Sequence, residues 1–179
     1  MRPHETIARF DSFLAAQGSV FEAIVIGGTA LGLPGVISRH TRDCDVLQPK
    51  VPNDIKDASV RFAAKERDAG RDLQDDWFND EPASVANLLP KGWKKRLQLV
   101  FHGRALVLHT LGRADLLKIK LFALRDRATD LPDCLALAPS AEELAEARPW
   151  LYLQDANPLW PSHVDRVLED LARRLGHGL

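Results

Sequence analysis

Cysteine is nearly absent from this chain: Cys44 and Cys134 are the two in 179 residues, and neither lies in a Cys-x-x-Cys spacing. That excludes a disulfide framework and a thiolate zinc site. Net charge is missing too. Lys and Arg number 24 against 25 Asp and Glu, a formal charge of −1, so no whole-molecule field draws the chain to nucleic acid, and any such contact must come from a local patch. No uninterrupted apolar run approaches the roughly 18 residues of a bilayer span. The first residues, MRPHETIARFDSFLAAQG, read as an amphipathic helix with charges throughout rather than a targeting segment, so a cytoplasmic protein without membrane contact is expected. Neither GxGxxG nor Gly-Lys-Ser/Thr at phosphate-loop spacing occurs, which weakens a dinucleotide or P-loop reading. No repeat or low-complexity segment is found.

What is present is enough for a core. With 45% apolar residues the length suits one compact unit. FEAIVIGG (21–28) is a Val/Ile run that stops at glycine, as a buried strand does at a tight turn. RDCDVLQP (42–49) suits a strand entered from a loop. NDIKDASVRFAAKERDAG (53–70) has capping residues in front and glycine behind, the marks of a surface helix. Residues 71–93 look irregular, and LQLVF and ALVLHTL around Gly103 look like a hairpin. From Arg113 onward nearly everything has helical spacing. The pattern is α+β, with a core over 1–112 and a helical C-terminal portion over 113–179 packed on it.

Two constellations carry chemistry. Gly27 and Gly28 lack a Cβ, so a ligand can come close to their backbone, and Thr29 can cap the helix that follows. Such a turn attracts phosphate, although strand-to-helix turns also carry glycine for geometry alone. Asp43 and Asp45 are one residue apart, which on a strand turns both carboxylates to one face. Either cations such as Arg39 and Arg42 neutralise them or a divalent ion does, and hard oxygen ligands suit Mg²⁺ or Mn²⁺.

The second constellation lies in DLLKIKLFALRDRATDLPDCLAL (115–137). On a helical wheel, Leu116, Leu117, Ala123 and Leu124 define the apolar face. Lys120 and Arg127 fall inside that face, whereas Lys118 and Arg125 fall on the opposite side. A lysine on an apolar face either snorkels to an edge or meets an anion. Asp130 and Asp133 read either as partners of this helix or as caps around Pro132. The basic run Lys91, Lys94, Lys95 and Arg96 with Trp93 could hold an RNA backbone and stack a base, or be a solvated loop anchored by one tryptophan. Trp150 and Trp160 read as core or interface residues.

The stretch GGTAL…RHTRDCDVL resembles the signature of the DNA polymerase β-like nucleotidyltransferases. Its Arg-x-Thr-x-Asp-x-Asp form is similar to small bacterial nucleotidyltransferases of the abortive-infection and toxin–antitoxin type. The resemblance implies a nucleotidyltransferase fold, a mixed β-sheet flanked by helices. It implies an NTP bound by Gly27, Gly28, Thr29, Arg39, Thr41 and Arg127, and Mg²⁺ or Mn²⁺ on Asp43 and Asp45. It also implies catalysis by Asp43, Asp45 and Lys120, with Asp130 and Asp133 in support. The implied reaction moves an NMP from an NTP to a hydroxyl of tRNA, a protein or a small molecule, as the toxin of a pair with an antitoxin protein. One departure matters: the family's third carboxylate is expected on a later strand, yet Pro82 to Ala114 contains no Asp or Glu, which leaves His102 or His109 to take its part. The alternative is a catalytically weakened fold that binds a nucleotide or a partner.

Overall fold

The computed structural model describes residues 1–124 and 128–177. These divide into two compact units, Met1–Asn87 with Lys94–Leu111 and Leu88–Trp93 with Gly112–Leu179. Arg127 lies outside the described residues. Among the described residues no helix is long and apolar enough to cross a membrane.

The first unit is a mixed five-stranded sheet with helices. In chain order it runs α1 (Pro3–Ala16), β1 (Phe21–Ile26), α2 (Gly27–Gly32), β2 (Cys44–Gln48), α3 (Asn53–Asp68), β3 (Phe78–Asn79), β4 (Gln98–His102) and β5 (Leu106–Thr110). The spatial order is β3-β2-β1-β5-β4. β1 is central: it pairs antiparallel with β2 and parallel with β5. The two runs around Gly103 form the expected antiparallel hairpin.

Alternation along the strands separates the two faces of this sheet. Phe21, Ala23 and Val25 of β1 and Leu106 and Leu108 of β5 are buried, while Glu22, Ile24, Val107 and His109 between them are exposed or half-buried. The closed face holds an aromatic core. Phe10 of α1 has ring centroids of Phe62, Trp77 and Phe78 at 5.2, 5.1 and 5.3 Å, and each buried aromatic adds about 1.5–3 kcal/mol over exposure. Ile7, Phe10 and Leu14 reach this core because their spacing puts them on one helical stripe. The indole of Trp77 donates to the Ser59 carbonyl at 3.2 Å, so its polar atom is satisfied inside.

α1 is fastened to the hairpin by a buried carboxylate. Asp11 accepts from the N–H groups of Ala105 and Leu106, each at 2.8 Å. Burial alone would raise this carboxyl, but those N–H groups and that of Arg104 hold it below the usual carboxylate range. Gly103 is required at the hairpin because a Cβ there would run into the Asp11 carboxylate. α3 is a helix as its pattern predicts, but its front is not capped by a side chain. Its N-cap position is Pro52, and Asp80 instead accepts from the Val51 N–H at 2.9 Å and from Lys56 at 2.8 Å.

The second unit is helical: α4 (Arg113–Leu124), α5 (Leu131–Leu137), α6 (Ala141–Tyr152) and α7 (Trp160–Arg174). Ser140 and Glu143 form a capping box at the start of α6. Glu143 also takes a two-pronged bond from Arg113 at 2.7 and 3.0 Å, which ties α4 to α6. Trp160 is 5% exposed, and its indole N–H bonds to the Leu151 carbonyl at 2.7 Å. Phe122 has Trp150 and Trp160 edge-on at 6.3 and 6.4 Å, so both tryptophans are packing residues.

Candidate functional site

β1 ends at Ile26 and the chain turns at once into α2 through Gly27, whose φ is +72°. A side chain there would be strained, and its Cβ would also collide with the carboxylate of Asp45. The collision follows from register, since Ile26 lies opposite Asp45 in the β1–β2 pair. At Gly28 a Cβ would stand 2.6 Å from Cγ2 of Thr41 and 3.9 Å from the Arg39 guanidinium. The turn is therefore roofed by side chains from the segment ahead of β2. With six residues, α2 contributes little macrodipole; the turn's use to a ligand is close access to backbone.

Gly27, Gly28, Arg39, Thr41 and Asp45, the candidates of the sequence pattern, thus meet at one place. Thr29 does so in a different role from the one expected. It sits inside α2 rather than capping it, and its hydroxyl donates to the Asp43 carbonyl at 2.8 Å. That bond holds α2 to the start of β2. Asp43 stands one residue ahead of β2 and is half-buried, as is Asp45 within it. Arg42 does not neutralise the pair; it pairs with Asp76 at 3.7 Å, both exposed. Cys44, between the two acids, is fully buried, and burial together with the charge of Asp45 pushes its thiol well up, so it is an inert packing residue.

Thr41 carries an unusual feature. The residue is 4% exposed, its N–H donates to the Met1 carbonyl at 2.9 Å, yet its hydroxyl has no hydrogen-bond partner among the described residues. A buried unpaired hydroxyl costs roughly 1–3 kcal/mol. The unit keeps one on the residue whose methyl packs over Gly28.

The donor set suits a divalent cation that arrives with phosphate. Mg²⁺ is bound through one or two carboxylates plus substrate phosphates and waters rather than by an all-protein cage. Asp43 and Asp45 would be the carboxylates of such a site, and among the described residues no group of three His, Cys, Asp or Glu could hold a metal unaided.

A residue without a sequence signal completes the surroundings of Asp45. β3 pairs parallel with β2 and sets Asn79 beside Asp45; its amide nitrogen lies 3.4 Å from Asp45 Oδ1. Two strand residues inside an Asp- and Asn-rich segment carry no periodicity, so only the sheet reveals this neighbour. His109 occupies the open face of β5 and contacts Glu22 at 3.1 Å. A cleft of about 400 Å³ lies by the same loop, lined among others by Arg2, Arg9, His40, Glu66 and Arg71. Its buried acid is already engaged: Glu66 is bonded by Arg71 at 2.6 and 2.8 Å and by Arg9 at 2.9 Å, and Arg71 chiefly holds its carboxyl below the usual range.

In the second unit Lys120 is buried, 6% exposed, as its place on the apolar face requires. The anions it meets are Asp133 at 2.7 Å and Asp130 at 3.0 Å. Burial would lower its pKa, but the two carboxylates, Asp133 foremost, raise it, so the ammonium stays charged. Asp130 occupies the N-cap position of α5 without a side-chain cap bond. Cys134, beside this cluster, has its thiol pushed up to about 12 by burial. Trp93 is 8% exposed, so its ring is not a surface platform for a base.

Comparison with known proteins extends this local picture to the chain. A family model described as "Nucleotidyltransferase of unknown function (DUF6036)" matches residues 6–138, a span that takes in the glycine turn, Asp43, Asp45, Lys120, Asp130 and Asp133. No curated protein and no solved structure matches the chain. With about three quarters of its length inside the match, the chain belongs to this family of nucleotidyltransferases of unknown function.

Proposed function

We propose that the protein is a cytoplasmic, metal-dependent nucleotidyltransferase that moves an NMP from an NTP to a hydroxyl of an RNA, protein or small-molecule acceptor. The observation that carries this reading is the glycine turn with the Thr41 methyl and the Arg39 guanidinium over Gly28 and the Asp45 carboxylate against Gly27. In this reading the backbone of Gly27 and Gly28, the Thr41 hydroxyl and the Arg39 guanidinium bind the phosphates, and Thr29 fixes Asp43 through its carbonyl. Asp43 and Asp45 would hold Mg²⁺ or Mn²⁺, which when bound neutralises charge on the reacting phosphate. The acceptor oxygen forms a bond to the α-phosphorus, the bond to the bridging oxygen breaks, pyrophosphate leaves, and the hydroxyl proton passes to solvent.

The family resemblance assigns Lys120 to the same phosphates. Its charge already has two counter-anions, so a part at the phosphates would require it to exchange one of them. The Arg39-x-Thr41-x-Asp43-x-Asp45 spacing supports a toxin whose partner is an antitoxin. A second reading, nucleotide binding without transfer, is favoured by one observation, the lack of any Asp or Glu from Pro82 to Ala114.

Each of the four radiolabelled NTPs, incubated with the protein and Mg²⁺ or Mn²⁺ against total tRNA and cell lysate, tests the two readings. The expected result is transfer of label to a discrete acceptor from at least one NTP, abolished by chelation. Binding of an NTP without any labelled acceptor would select the second reading.

A further inference from the structure

Resting on that reading of the site, we propose that Asn79 is a positioning residue for the cation. It holds one oxygen of Asp45 and occupies, with a neutral amide, the place from which a carboxylate would reach an ion at Asp45.

The amide is oriented by its neighbours. Its oxygen accepts from the Glu81 N–H at 3.1 Å, and its nitrogen donates to the Asp76 carbonyl at 3.3 Å and to Asp45 Oδ1 at 3.4 Å. The opposite orientation would turn an oxygen toward two acceptors and a nitrogen toward a donor, so the bonding pattern fixes the assignment. Parallel register puts Asn79 and Asp45 on one face of adjacent strands. The nearest acid in sequence, Asp80, is engaged elsewhere by Lys56 and the Val51 N–H.

A donor beside Asp45 has two effects. It stabilises the carboxylate when no ion is present, because a second acid at this distance would repel it. It also leaves the protein with too few negative ligands to retain a divalent ion by itself, so the cation is bound together with the nucleotide phosphates rather than ahead of them.

Calorimetric titration of Mn²⁺ alone into wild type and Asn79→Asp tests the assignment. Aspartate preserves the acceptor for Glu81 and replaces the donor by a third negative ligand. Wild type should bind Mn²⁺ alone weakly, and Asn79→Asp should bind it at least about tenfold more tightly, with a lower melting temperature in chelator. Asn79→Ala, which adds no charge, should gain nothing with Mn²⁺ alone and lose about tenfold in affinity for Mn²⁺ with a non-hydrolysable ATP analogue. Mn²⁺ affinity of Asn79→Asp within twofold of wild type would overturn the proposal. So would a gain that survives Asp43→Asn with Asp45→Asn, since the ion would then lie elsewhere. If Asn79→Asp gains affinity while wild type binds no nucleotide, the placement of Asn79 stands and the transferase reading falls.

Discussion

Lys120→Met is expected to destabilise the helical unit by about 3–5 kcal/mol, the usual cost of removing one partner from a buried ion pair. Methionine keeps the length and apolar packing of the stem, so the loss reports the charge alone. A buried lysine without a counter-anion would lose little on neutralisation, because its charge would no longer need desolvation. The side chains of Asp133 and Asp130, 2% and 14% exposed, reverse the sign: removing the ammonium takes a charge-assisted hydrogen bond from each buried acid. Lys120→Met with Asp133→Asn should therefore recover a large part of the loss, since a pair replaced on both sides costs less than a pair broken on one. Lys118→Met, half-buried on the same helix, should stay within about 0.5 kcal/mol of wild type. Urea unfolding, read as a change in midpoint at constant slope, measures all three. A Lys120→Met cost near that of Lys118→Met would show that the ion pair does not hold this unit together.

Gly28→Ala is expected to weaken binding of an Mg²⁺-bound non-hydrolysable ATP analogue by at least about tenfold and to cost about 1–3 kcal/mol of stability, the range for overpacking. The two effects have separate causes and can be separated. The stability cost arises from the methyl of Thr41, 2.6 Å from the new Cβ, so Gly28→Ala with Thr41→Ser should restore stability by deleting that methyl while keeping the hydroxyl. Nucleotide affinity should not return with it if the Gly28 backbone is where phosphate approaches. Recovery of both together in the double variant would make Gly28 a packing residue only.

The local part of this site is legible because its signals are local. A double glycine after an aliphatic run, and acids at a two-residue spacing before another, each report a backbone requirement within a few residues, and the sheet brings Gly27 and Asp45 together through one β1–β2 pairing. Thr29 misleads because a threonine after glycine suits a cap equally well; its true partner, the Asp43 carbonyl, is set by how α2 meets β2. Lys120 visibly needs an anion, but helical periodicity says nothing of which one. The answer lies 10 and 13 residues onward, beyond the helix that the wheel describes. Asn79 leaves no trace in sequence since its place depends on a non-local strand pairing of two residues. The same holds for the order of strands, where β1 lies between β2 and β5 rather than beside its chain neighbours alone.

The central claim is that Asp43 and Asp45, with the glycine turn, hold a cation and a triphosphate together. Melting temperature with and without Mn²⁺ and a non-hydrolysable ATP analogue, in wild type and in Asp43→Asn with Asp45→Asn, tests it most directly, because a ligand at one hundred times its dissociation constant adds about 2.7 kcal/mol to the folded state. The account predicts a rise of several degrees in wild type only when cation and nucleotide are both present, and none in the double variant, which should be folded and at least as stable as wild type in chelator. An equal rise in the two proteins would contradict it.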